Sequence, residues 1–181
     1  MEQLTIVKIG GNIIDNPAEL QQFIADFSKI EGYKVLVHGG GKSATKMAKS
    51  IGLVPQMIDG RRITDQPMLD VVVMIYAGEI NKNIVAQLHA NGTNAMGFSG
   101  ADGNLIQSTK RNHPTIDYGF VGDVQKVNTS LLETLIENEI TPVFCAITYH
   151  IQGHLLNANA GTIARELASA LLEVFEVTLT Y

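Results

Sequence analysis

The sequence predicts an α/β fold with a mainly parallel open sheet. Two observations carry that expectation. Short β-branched runs alternate with amphipathic helical stretches along the whole chain, and two of those runs end in glycine clusters. Strands that alternate with helices are joined by crossovers, and crossovers build parallel sheets.

The elements follow in order. "LTIVKI" at 4–9 is a buried strand closed by Gly10 and Gly11. In "NPAELQQFIADFSKI", Asn16 suits an N-cap, Pro17 the first helical position and Glu19 a capping box. Leu20, Phe23, Ile24 and Phe27 share one face of that helix, and Gly32 ends it. "KVLVH" at 34–38 is a second strand, and "KSATKMAKSI" a helix stopped at Gly52. "VPQMID" is a short strand, with a turn at Asp59-Gly60.

From a cap at Thr64, residues 65–91 form one long helix up to Gly92. Its apolar residues cover more than one side, which marks a candidate dimer surface. "NAMGF" begins a strand and "SGADGN" is a turn-rich loop. "DYGFVGDVQKVN" alternates around Gly122-Asp123 as a β-hairpin would. "TSLLETLIENE" is an amphipathic helix, "ITPVFCAI" a strand and "AGTIARELASALLEV" a helix. "EVTLTY" enters a last strand and stops, so the chain is expected to be the front portion of a longer protein.

At 181 residues, 45% hydrophobic and 17% charged, the chain can bury a substantial core in one large domain or two small ones. A net charge of −5 and no Lys/Arg run argue against nucleic acid, although a local basic pocket can still hold an anion. The single cysteine, Cys145, lies in an apolar run and is expected to pack in the core. No secretory leader and no membrane-length apolar run are visible, so a cytoplasmic location is expected.

The glycines of "KVLVHGGGKSAT" admit three readings. A P-loop needs a glycine where Leu36 stands, and fails. A dinucleotide fingerprint is met by Gly39, Gly41 and Ala44, with Asp59 as the distant acid, and implies a nicotinamide-dependent oxidoreductase. The third reading joins this turn to "VKIGGN". Parallel strands end at one sheet edge, so both turns would face one crevice, where backbone N–H groups and helix N-termini favour an anion. Lys8 adds a positive charge at that edge, unless it merely snorkels to the surface. Taken together, two glycine turns and a strand lysine favour phosphate.

Seven motifs in order resemble the amino-acid kinase family, in particular its branch that phosphorylates N-acetyl-L-glutamate in arginine biosynthesis. They are "VKIGGN" at 7–12, "VHGGGKSAT" at 37–45, "DGRRIT" at 59–64, "NKNIVAQL" at 81–88, "SGADGN" at 99–104, "GFVGDV" at 119–124 and "LLNANAGTIA" at 155–164. The resemblance implies a three-layer αβα sandwich. Its N-terminal lobe, residues 1–155 here, would bind the acyl amino acid, and 156–181 would start the ATP lobe.

The implied reaction moves the γ-phosphoryl of ATP, carried with Mg²⁺, onto the side-chain carboxylate of N-acetyl-L-glutamate or a related N-acyl-glutamate. Lys8 would stabilise the transferring phosphoryl, and Gly10, Gly11 and Gly40 would offer it backbone N–H groups. Gly40 and Gly41 would contact the substrate, Arg62 would grip its α-carboxylate, and Asn157, with Asn159 nearby, would hold its other side. Read without the resemblance, Arg62 is a surface charge beside Arg61, and Asn157 and Asn159 are helix caps.

Two departures stand out. Gly161 occupies a position where the family usually carries an Asp that organises the catalytic lysines, and much of the family's ATP lobe lies beyond Tyr181. A non-catalytic acyl-amino-acid-binding relative is therefore a further expectation. So is an arginine-insensitive homodimer, since the chain starts directly at its first strand.

Overall fold

The computed structural model describes residues 1–58 and 60–181. Along the chain, β1 (Gln3–Ile9) leads through the short α1 (Gly11–Ile14) and α2 (Pro17–Ser28) to β2 (Tyr33–His38), followed by α3 (Gly41–Ser50). β3 (Met57–Ile58) and β4 (Arg61–Arg62) form a small antiparallel pair. Next come α4 (Gln66–Val73), a π-helical segment (Met74–Ile80), α5 (Asn81–Ala90) and β5 (Ala95–Phe98). β6 (Ile106–Lys110), β7 (Gly122–Val127) and α6 (Thr129–Glu137) precede β8 (Thr141–Cys145), β9 (Ile147–Tyr149) and β10 (Leu155–Asn157), and α7 (Ala160–Leu171) and β11 (Glu176–Thr180) follow.

The expected parallel sheet is present. Its order is β11-β1-β2-β8-β5, and all four neighbouring pairs are parallel. β8 is buried at all five positions, so the sheet is covered on both faces there. Leu4, Ile6, Leu36, Val143 and Phe144 from the strands meet Ile24, Ile84, Leu88, Ile163 and Leu167 from the helices in one core. Cys145 lies within it as expected, and burial pushes its thiol up to about 12. A second sheet, in the order β10-β9-β6-β7, takes two strands from before β8 and two from after it.

The α2 cap forms as its sequence requires. Asn16 Oδ1 accepts from Ala18 N–H (3.1 Å) and Glu19 N–H (3.4 Å), and its amide donates back to Glu19 Oε1 at 2.8 Å. Leu20, Ile24 and Phe27 are buried.

Four expectations need correction. Thr64 does not cap the long helix; Asp65 does, accepting from Met68 N–H at 2.9 Å, while Thr64 is buried and its N–H donates to the Tyr118 carbonyl. The 65–91 helix is continuous but not uniformly α-helical, because Met74–Ile80 is wound as a π-segment. "ITPVFCAI" does not form one strand: the chain leaves the central sheet after Cys145 and enters the second sheet at Ile147.

The hairpin centred on Gly122-Asp123 is absent. Those residues open the single strand β7, whose antiparallel partner is β6, a strand with no expectation in the sequence. The alternation was real, but its partner lay across the intervening loop. Gly122 is needed for close packing, since a Cβ there would lie 2.9–3.0 Å from Leu156, Ser108 and Thr148. Asp59, the acid of the dinucleotide reading and the first residue of the expected Asp-Gly turn, lies outside the described residues.

Candidate active site at the carboxyl edge of the sheet

β1 and β2 end in register, Ile9 beside His38, so Gly10 and Gly39 leave the sheet at the same edge. Both glycine turns line one cleft of about 480 Å³, a volume suited to a small ligand. The first residues of α3 and α7 line it too. The Gly40 N-cap of α3 has no side chain to satisfy the helix's first N–H groups, which leaves them for an anion.

Every residue singled out by the kinase resemblance lies on this cleft: Lys8, Gly10, Gly11, Gly40, Gly41, Arg62, Asn157, Asn159 and Gly161. Lys8 comes from the end of β1, and its Nζ stands 5.9 Å from the Tyr181 ring centroid. It forms no ion pair among the described residues. Arg62 is buried, with 8% of its surface exposed, whereas Arg61 is exposed, so the surface-charge reading of Arg62 is wrong. Its Nη2 donates to the Gly41 carbonyl and to Thr45 Oγ1, each at 2.8 Å. These bonds fix the guanidinium against the start of α3 without using a carboxylate.

Asn157 and Asn159 separate in role. Asn159 caps α7, accepting from Thr162 N–H at 3.0 Å. Asn157 caps nothing; it is buried on the cleft wall, and its amide donates to Thr64 Oγ1 at 3.1 Å, a bond that does not use its carbonyl oxygen. A Cβ at Gly161 would lie 3.1 Å from Asn159 Oδ1 and 3.7 Å from the Tyr181 ring.

Sequence reasoning missed two lining residues. Tyr76 belongs to the π-segment, and its buried ring packs under Gly40. Burial pushes its phenol up, partly offset by Arg62. Nothing in "VVVMIYAG" distinguishes it from a core residue. Arg111 reaches the cleft from the loop after β6, held by a bidentate pair with Asp123, whose carboxylate oxygens lie 3.1 Å from Nε. That pair pushes the guanidinium up further. The signal was split between "KRNH" and "GFVGDV", which only the β6–β7 pairing brings together.

Lys8, Arg61, Arg62 and Arg111 thus line the cleft, and no carboxylate does among the described residues. An acidic chain has built a local cationic pocket whose shape and charge suit a small polyanion.

The family model described as "Amino acid kinase family" matches residues 3–172. The chain belongs to the amino acid kinase family. It is 55% identical over 181 residues to the acetylglutamate kinase of Parabacteroides distasonis, covering 100% of this chain and 71% of that protein. The acetylglutamate kinase of Phocaeicola vulgatus is 54% identical over 180 residues, covering 99% of this chain and 70% of that one. Among solved structures, smu.665 from Streptococcus mutans UA159 superposes with a TM-score of 0.79 at 25% identity, over 93% of this chain and 69% of that chain.

Family membership disfavours the oxidoreductase reading, and the topology agrees. In a dinucleotide fold the strand after the glycine-rich helix continues the same sheet. Here the strand after α3 is β3, which pairs only with β4 outside the central sheet. Gly39 and Gly41 line the cleft instead, and Ala44 packs in the core.

Proposed function

We propose that the chain phosphorylates the side-chain carboxylate of N-acetyl-L-glutamate, or a related N-acyl-glutamate, with ATP as donor. The observation that carries this is the single cleft in which both glycine turns meet Lys8, Arg62 and Asn157. The likeness to acetylglutamate kinases supports an acyl-glutamate as the substrate class.

A side-chain carboxylate with a pKa near 4 is ionised at neutral pH, so the nucleophile needs no general base. The obstacle is the approach of two anions. Catalysis then reduces to alignment and charge stabilisation. In this reading Arg62 holds the α-carboxylate with the face of its guanidinium not spent on Gly41 and Thr45. Asn157 accepts the substrate's amide N–H, and Gly41 lies beside the bound acyl-glutamate. The Gly10, Gly11 and Gly40 N–H groups and Lys8 receive the charge that spreads over the phosphoryl oxygens. In this reading Mg²⁺ comes with the nucleotide.

Three further assignments belong to the same reading. Residues 1–155 form the acyl-amino-acid lobe, and 156–181 begin the nucleotide lobe. Two copies pair through the 65–91 helix, where Met74 leaves 56% of its surface exposed. The location in this reading is cytoplasmic.

Isothermal titration with N-acetyl-L-glutamate, N-succinyl-L-glutamate, MgATP and NAD tests the proposal. Saturable binding of an acyl-glutamate is expected, tighter than that of MgATP, and the tighter acyl ligand names the substrate. Binding of NAD with no response to either acyl-glutamate would overturn it.

A further inference from the structure

The last residue of β2 before the glycine turn is a histidine, and none of the chemistry above uses it. His38 is fully buried, and each ring nitrogen has a partner. Nδ1 lies 2.8 Å from the Gly39 carbonyl oxygen, and Nε2 lies 3.0 Å from the Asn81 amide nitrogen. That amide also donates to the Val143 carbonyl at 3.0 Å, while Asn81 Oδ1 accepts from Lys82 Nζ at 2.9 Å.

The bonds leave one consistent proton arrangement. With its oxygen facing an ammonium, Asn81 presents its NH₂ to His38, so Nε2 is the acceptor and Nδ1 carries the proton. His38 therefore donates to the Gly39 carbonyl. Burial, with Lys82 nearby, lowers the ring to about 4, which keeps it neutral.

The consequence lies on the far side of one peptide bond. The Gly39 carbonyl and the Gly40 N–H belong to the same planar trans unit and point in opposite directions. Tying the carbonyl back to His38 turns the N–H away from the ring, and Gly40 itself lines the cleft. No hydrogen bond among the described residues uses that N–H. Ile80 and Tyr76 pack against Gly40 so closely that a Cβ would overlap Ile80 Cδ1. The turn is thus held by a hydrogen bond behind it and by apolar contact beneath it.

We infer that His38 is a positioning residue, which aims the Gly40 N–H at the anion through the Gly39 carbonyl and is itself oriented by Asn81. This rests on the reading of the cleft as a phosphoryl-transfer site. A core histidine without this role would leave the anion response of Gly40 unchanged when it is replaced.

The test follows the Gly40 amide by ¹⁵N–¹H spectroscopy in the full chain, titrated separately with inorganic phosphate and N-acetyl-L-glutamate. Wild type is compared with His38→Leu, His38→Gln and the double variant His38→Leu/Asn81→Leu. The double variant avoids the unpaired Asn81 donor that His38→Leu alone would bury, so it carries the test if the single variant fails to fold. In wild type, phosphate moves the Gly40 amide saturably. In His38→Leu and the double variant, phosphate affinity falls at least fivefold, while N-acetyl-L-glutamate affinity changes less than twofold. His38→Gln, whose amide can still donate to the Gly39 carbonyl, recovers at least half of the phosphate response.

A wild-type Gly40 that ignores phosphate would overturn the inference, as would a leucine variant that responds like wild type. A glutamine variant no better than leucine would overturn it too. If wild type fails to bind N-acetyl-L-glutamate while Gly40 still responds to phosphate in a His38-dependent way, the acyl-glutamate reading falls and the role of His38 stands.

Discussion

The two glycine turns look alike in the sequence and differ in the structure. Gly10 has an ordinary extended backbone (φ −86°), and a Cβ there would meet nothing within 4 Å. Gly40 has φ +152°, a conformation that L side chains rarely adopt, and is wedged against Ile80 and Tyr76. The fold itself requires a glycine at 40. At 10 it does not, so the need there comes from what approaches the backbone. One motif therefore reports on stability and the other on ligand, and substitutions separate the two.

Gly40→Ala breaks the contrast most severely. Steric overlap and the positive φ together cost about 3 kcal/mol or more, read as a lower midpoint in guanidinium unfolding. His38 comes next. Its folded pKa of about 4 lies below the ordinary 6.5, so the unfolded chain binds the extra proton first. The resulting stability is complete above pH 6.5 and is lost as pH falls toward 4, up to about 3 kcal/mol. Unfolding measured across that window should be flatter for His38→Gln than for wild type.

Gly161→Asp should raise phosphoryl transfer by about tenfold, worth about 1.4 kcal/mol, by placing a carboxylate on the cleft that Lys8 also lines. Equal turnover in a product-release assay would remove any significance from the glycine. The smallest effect on stability belongs to Gly10→Ala, within about 0.5 kcal/mol of wild type, because space and backbone both accept a methyl group. Its phosphate affinity should nevertheless fall, since the methyl projects where the ligand approaches. Unchanged affinity would make the first turn a connector only.

The difference between the turns also explains what could be read without coordinates. The alternation of apolar runs and capped helices is local, and the central sheet, α2, α3 and α7 follow from it. Half of the cleft was legible from chain direction, because "VKIGG" and "VHGGG" sit at parallel strand ends; Arg62 and Asn157 were reached only through the family resemblance, and read by themselves they were a surface charge and a helix cap. What escaped depends on distant pairing. β6 finds β7 across the loop after Lys110, and that pairing alone brings Arg111 to Asp123 and the cleft. Tyr76 and Ile80 press on Gly40 through a π-segment, and no pattern in "MIYAGEI" distinguishes this winding from an α-helix. His38 was visible in "VHGGG", but its bond to Gly39 depends on the depth of burial and on Asn81 from α5.

The central claim is that this cationic cleft binds an acyl-glutamate through Arg62. Isothermal titration of N-acetyl-L-glutamate into wild type and Arg62→Ala tests it most directly. The account predicts saturable wild-type binding that weakens about a hundredfold, or about 2.8 kcal/mol, in the variant. Equal affinity in a folded Arg62→Ala protein would contradict it and place the substrate elsewhere.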